Sequence, residues 1–260
     1  RWMRRKLRFA KEMSGDSKDS LYRAFVLERH GMSGHRPAMQ ISFSSIVVFA
    51  VAVCASVSAD EAKSEKLFNG KDTSGWKNPY EWGNVEVVDG EIHLTADKKF
   101  FLVTEEKFSD FVFEGEVHLP DGKANSGFMF RCHVEPNKVY GYQAEVDGSD
   151  RRWSGGLYDE GRRGWLWPSK SGRTKEDSAL AHEKKSQAHF QKEEVAGALK
   201  RNGWNHYKIT CKGNSIKIEV NGVVTTEYKD DTDAEGYLGI QHHGEKGQTY
   251  RFRNLKVRKL

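Results

Sequence analysis

Turn signals recur about every ten residues through most of this chain, and apolar and polar residues alternate between them. That rhythm constrains the fold more than any other feature. Alternation over short runs puts one face of a strand in a core and the other outside. It is clearest over residues 111–147 (FVFEGEVHLPDGKANSGFMFRCHVEPNKVYGYQAEVD). In the first run Phe111, Phe113, Val117 and Leu119 share a face, with Glu114, Glu116 and His118 opposite. In the second, Phe128, Phe130, Cys132 and Val134 oppose Met129, Arg131 and His133. In the third, Tyr142, Ala144 and Val146 oppose Gln143, Glu145 and Asp147. If the three runs pair as neighbours, one face is core and the other collects carboxylates, an arginine, an amide and histidines. An ordinary solvated face favours Lys, Thr and Ser, so this one reads as a site.

Further strands are expected on either side. Residues 85–88 and 91–95 flank Asp89-Gly90, a two-residue hairpin turn, and residues 100–104 follow. Residues 155–159 open another strand. Residues 204–211, 215–220 and 223–228 make a meander with Asn221-Gly222 at its last turn, and 237–244 and 249–259 add two more strands. Only residues 161–200 break the rhythm. They are highly charged, hold Trp165 and Trp167, and look helical from 177 to 199. The expected fold is an all-β jelly-roll sandwich of two antiparallel sheets, with 161–200 as a charged, partly helical insertion over one end. Loops of that length are often functional, and the insertion suits a substrate lid and a solvated loop equally.

The chain carries a formal charge of +5, which suggests an acidic partner, but the excess is local. Residues 1–31 hold nine Lys/Arg and four Asp/Glu, and Arg36 adds one more cation. Subtracting these from the totals of 42 and 37 leaves 32 Lys/Arg against 33 Asp/Glu in residues 60–260. A nucleic-acid partner therefore loses its main support. Residues 1–31 read as a non-native or disordered extension. Residues 32–59 read as a cleaved signal peptide, with the apolar stretch 41–57 and Val57-Ser58-Ala59 ahead of Asp60. Val53 stands before Cys54, where a lipoprotein anchor wants a small residue. Residues 60–260 would then be one exported domain, periplasmic or secreted, with no membrane span after cleavage. Its two cysteines, Cys132 and Cys211, fall on apolar strand faces and read as core thiols, although export would permit a bridge.

Several segments occur in a familiar order: LFNGKDTSGW, ANSGFMFR, GYQAEVD, GGLYD, GWNHYKITCKGNSIKIEVNG and GYLGIQHHG followed by YRFRNLKV. Together they resemble the bacterial 3-keto-disaccharide hydrolase domain, over nearly all of residues 66–260. The resemblance implies a concanavalin A-like sandwich, export, and action on glycosides whose sugar ring is a ketone at C3. Two departures stand out. The 161–200 segment is longer and more charged than the family's connection, and Gln143 precedes Glu145 where the commoner order is an acid before the amide.

Two chemistries fit such a polar face. Ordinary glycosidases need two carboxylates flanking the bond, and Glu114, Glu116, Glu145 and Asp147 offer pairs. A C3 ketone opens another route. It acidifies the C2 proton, so a base can remove it and expel the C1 substituent before water adds back. That requires a base, a group to hold the enolate oxygen, and an acid. Glu145 or Glu116 would be the base, Arg131 and His243 the enolate or proton partners, and Tyr158 a further acid. Asn125, Gln143, Asp147, Trp165 and Gln241 are the expected substrate contacts. By alternation Gln241 and His243 share a face and His242 takes the other, so one metal does not take both histidines. Glu116, Glu145, Asp147 and His243 would still suit a divalent ion such as calcium; otherwise no cofactor is expected. Competing structural roles are plain: Arg131 and Glu145 as a salt bridge, Gly127 as a backbone requirement, Trp76 and Trp204 as core. The rival to a hydrolase is a non-catalytic, lectin-like carbohydrate-binding module, which fold alone does not separate from an enzyme. The density of ionisable groups favours the enzyme. Nothing in the sequence sets the oligomeric state.

Overall fold

The computed structural model describes residues 64–170 and 177–260. The proposed extension and signal peptide lie outside the described residues. Fifteen strands and two helices are described in chain order. The first six strands are β1 (Glu65–Lys66), β2 (Trp76–Lys77), β3 (Asn84–Val88), β4 (Glu91–Thr95), β5 (Phe100–Phe108) and β6 (Phe111–His118). The next four are β7 (Asn125–Glu135), β8 (Lys138–Asp147), β9 (Leu157–Glu160) and β10 (Gly164–Trp167). Helices α1 (Asp177–Phe190) and α2 (Glu193–Ala196) follow. The chain ends with β11 (Asn205–Lys212), β12 (Ser215–Val220), β13 (Val223–Lys229), β14 (Gly236–His242) and β15 (Thr249–Lys259).

The strands form two antiparallel sheets. One runs β13-β12-β11-β6-β15-β4-β3, with β1 added along β15; the other runs β10-β9-β8-β7-β14-β5-β2. The expected sandwich is therefore present. Its hairpins obey turn chemistry: Asp89 and Gly90 have φ of 51° and 77°, and Asn221 and Gly222 have 50° and 85°, as a two-residue turn between strands requires.

Between the sheets lies the main core. Phe111, Phe113 and Val117 of β6 and Tyr207, Ile209 and Cys211 of β11 face Phe128, Phe130, Tyr142 and Val146 of β7 and β8. Phe128 meets Phe113 and Phe252 nearly edge-on, at 5.8 Å in both pairs. Each such buried ring contributes roughly 2–3 kcal/mol by leaving water.

Two expectations fail in instructive ways. Residues 111–147 do make three strands, but β6 belongs to one sheet and β7–β8 to the other. A bulge between Phe130 and His133 then reverses the faces of β7. Cys132 accordingly joins Met129, Phe101, Val103 and Val139 in a second apolar cluster on the outer face, while Cys211 stays in the main core. Both thiols are free.

The insertion packs at the edge of the sandwich. Phe190 of α1 and Val195 of α2 bury against Trp153, with Trp165, Trp167 and Val223 around them. No helix among the described residues is long and apolar enough to cross a membrane.

Candidate active site

In an antiparallel ladder, residues directly opposite one another lie on the same face. Asn125 lies opposite Asp147, Gly127 opposite Glu145, and Met129 opposite Gln143. Tyr158 lies opposite Gln143, and Trp165 opposite Tyr158. On the other flank Gly239 lies opposite Met129, and Gln241 opposite Phe101. One outer face thus gathers Asn125, Gln143, Glu145, Asp147, Tyr158, Trp165 and Gln241, with the apolar Met129 cluster at one end.

Glu145 is the centre of this face, at 5 % exposure. Asn125 Nδ2 donates to its Oε1 at 2.6 Å and Gln143 Nε2 to its Oε2 at 2.8 Å. The Arg151 guanidinium stands 3.6 Å from Oε1. Burial pushes the carboxyl above the usual range, more than the two amide bonds pull it down, and the neighbouring Asp147 charge adds to the rise. The Glu145 backbone is fixed by Gly155 N–H, which donates to its carbonyl at 2.7 Å, and by the Tyr207 hydroxyl at 3.0 Å. Only glycine suits position 155: φ is +73°, and a Cβ there would lie 2.1 Å from Thr225 Oγ1.

Asp147 has a different character. Burial opposes its ionisation, but hydrogen bonds from Ser149 and Arg151 outweigh that and hold it below the usual carboxylate range. Ser149 N–H reaches Oδ1 at 3.0 Å, while Arg151 Nε and Trp153 N–H reach Oδ2 at 2.8 and 3.3 Å. It is a fully engaged anion organising the turn after β8. Arg151 completes the arrangement, its guanidinium carbon 4.9 Å from the Trp153 ring centre and 4.8 Å from that of Trp165. Trp165 in turn meets Tyr158 edge-on at 5.2 Å. The sequence reading missed Arg151; its signal was an arginine between Asp147 and Trp153, four and two residues away.

Three expected participants stand apart. Glu116 lies on β6, in the other sheet, where Arg253 Nε and Asn254 Nδ2 donate to it at 2.7 and 3.1 Å. Arg131, only 1 % exposed, has φ of 45° within the bulge. Its guanidinium donates to Ser109 O, Gly213 O, Asp233 O and Asp110 Oδ1 at 2.6–3.1 Å, tying turns together away from Glu145. His243 follows β14, with Nδ1 2.7 Å from Glu245 Oε1, while Tyr250 donates to the other oxygen of Glu245 at 2.7 Å. His242 points into the core, stacked on Phe100 at 5.8 Å. Glu116, Glu145, Asp147 and His243 therefore do not converge, and no group of three or more metal-ligating His, Cys, Asp or Glu occurs among the described residues. Gly127 is also reassigned. Its φ is ordinary, and it is required because a Cβ would lie 2.5 Å from Gln143 Cδ.

No curated protein matches the chain. Among solved structures, a candidate glycosyl hydrolase from Parabacteroides distasonis is 18 % identical, with a TM-score of 0.51 over 77 % of this chain and 95 % of that one. The carbohydrate-binding module CBM66 from Bacillus subtilis is 17 % identical, with a TM-score of 0.50 over 71 % and 96 %. A Bacillus subtilis protein with a galectin-like fold is 11 % identical, with a TM-score of 0.50 over 75 % and 94 %. These likenesses concern the fold. A family model described as the 3-keto-alpha-glucoside-1,2-lyase-like domain matches residues 63–258. The chain belongs to the 3-keto-alpha-glucoside-1,2-lyase-like domain family.

Proposed function

We propose that this protein is an exported enzyme that cleaves 3-keto-glycosides on the Glu145 face by elimination followed by hydration. The observation that carries the reading is the asymmetry of the two carboxylates there. Glu145 is buried with a raised proton affinity and suits a proton-abstracting base, whereas Asp147 is spent on Arg151 and the turn. Two-carboxylate hydrolysis needs a second free carboxyl group, and elimination does not. The family description and the sugar-related names of the structural neighbours support the substrate class.

Glu145 takes the C2 proton, and the C2–H electron pair forms the enolate with the C3 carbonyl. Arg151, the cation beside Glu145, holds the enolate oxygen in place of the expected Arg131. Collapse of the enolate breaks the bond from C1 to the leaving oxygen and leaves the C1=C2 enone. Tyr158 gives the leaving oxygen its proton; burial and the charges of Glu160 and Glu145 keep that phenol protonated. Water then adds at C1 and a proton returns to C2, so the net change is hydrolysis. Trp165 offers a flat ring for the sugar. Cleavage of the signal at 32–59 delivers the enzyme to the periplasm or medium.

The test offers the protein a chromogenic 3-keto-glucoside beside its unoxidised counterpart, before and after EDTA. Release from the keto sugar alone is expected, and Glu145→Gln should lower it at least 10³-fold with the fold intact. The new amide is accommodated if Gln143 turns its own amide over. Release from both sugars would indicate two-carboxylate hydrolysis, and sugar binding without turnover a lectin-like module. EDTA sensitivity would add a metal. Tyr158→Phe should lower kcat with the fold intact, since the phenol is the proton donor to the leaving oxygen.

A further inference from the structure

Two side chains on this face carry a polar atom with no partner. Gln143 and Gln241 are 2 % and 1 % exposed, and the Oε1 of each is buried without a hydrogen-bond donor. A buried carbonyl left unpaired is destabilising, and native proteins keep few of them. Two on one face call for an explanation.

The Gln143 oxygen has no easy internal remedy. Gln143 is oriented by its Nε2, which donates to Glu145 Oε2 at 2.8 Å; turning the amide would forfeit that bond to an ionised Glu145. The Gln241 backbone is held by Ser126 Oγ, which donates to its carbonyl at 2.8 Å. Both flank Gly127, which has no side chain. Gly127 lies opposite Glu145 on one side, and the register of Phe128 with Ile240 places Gln241 beside it on the other. The Gln143 amide leans over that gap, as the 2.5 Å approach to a would-be Cβ at Gly127 shows.

We infer that Gln143 Oε1 and Gln241 Oε1 form a hydroxyl-accepting cradle above Gly127 that selects neutral hexosides and rejects uronosides. The inference rests on the proposed keto-glycoside reading and refines its substrate class. The two orphan oxygens are acceptors. A ketone has no proton to give, so the C3 carbonyl does not belong there and falls instead to the Arg151 side. A carboxylate at C6 would set lone pairs against lone pairs. Hydroxyls retained at C4 and C6 supply the donors that the oxygens lack.

The experiment compares kcat/KM of the protein for four chromogenic 3-keto-glycosides: the glucoside, its 4-deoxy and 6-deoxy analogues, and the glucuronide. At least one deoxy analogue should fall 10- to 100-fold, and the glucuronide more than 100-fold. Equal turnover of all four overturns the cradle while leaving the keto-glycosidase reading intact. In Gln241→Met the discrimination should shrink to within about threefold without loss of Tm, because an unpaired buried oxygen has been removed. A lower Tm with discrimination unchanged would make Gln241 structural and overturn the inference. If no keto sugar is cleaved, ligand-observed NMR with methyl glucoside and its deoxy analogues tests the cradle alone. Weaker binding of a deoxy analogue supports it in a binding module, and equal or absent binding overturns it.

Discussion

Burial at Glu145 gives a single carboxyl group two measurable signatures. Its folded proton affinity is raised, so its stabilising contribution is complete below the unfolded pKa of about 4.3 and is lost as pH rises through the folded value. Glu145→Gln lacks that loss. Thermal melts should therefore show the variant gaining on the parent as pH climbs above the unfolded value, with the gap closing in acid. The activity limb runs the opposite way, because the base must be ionised: kcat/KM should rise with pH through the same group. The two arginines divide equally cleanly. Arg151→Lys loses the guanidinium's contacts over the Trp153 and Trp165 rings and should cost roughly 10²-fold in kcat/KM. Arg131→Met strips buried partners from three turns and should cost about 3–5 kcal/mol in denaturant melts, while the folded fraction keeps its specific activity.

Among the elements, the insertion depends on a small apolar anchor. Phe190→Ala should remove about 3–5 kcal/mol of local packing. Hydrogen exchange over 177–196 should quicken before that of β7 and β8. Strand identities were legible in the sequence because alternation and Asn-Gly or Asp-Gly turns are local signals. Sheet membership was not. Glu116 and Glu145 carry the same alternation, but strand pairing is decided by long-range contacts that a run of eight residues does not encode. Arg131 shows a second limit: a one-residue bulge reverses everything after it, and the sequence FMFRCH bears no mark of it. Gln143, Glu145, Asp147 and Asn125 were found together because β7 and β8 are a hairpin, the case in which sequence proximity and spatial proximity coincide. Arg151 escaped because it lies in a turn, where period-two reasoning does not apply.

Across the whole molecule, charged staples close one end of the sandwich. Arg162 joins Asp159 to Asp233, Arg163 joins Asp159 to Asp230, and Tyr142 donates to Asp230. At Asp230 and Asp233 burial opposes ionisation, yet the arginine bonds outweigh it and hold both carboxyls low. Such groups stabilise the fold above the unfolded Asp value of about 3.9 and stop doing so as pH falls through their folded values. Circular dichroism between pH 5 and 2 should show a cooperative acid transition beginning below about pH 4, moved upward in Arg163→Met. The order of β15 in its sheet has a further consequence. This strand comes last in the chain yet sits centrally, between β6 and β4, with β1 on the same strand. Until residues 249–259 join it, that sheet is two unjoined halves, β13-β12-β11-β6 and β4-β3.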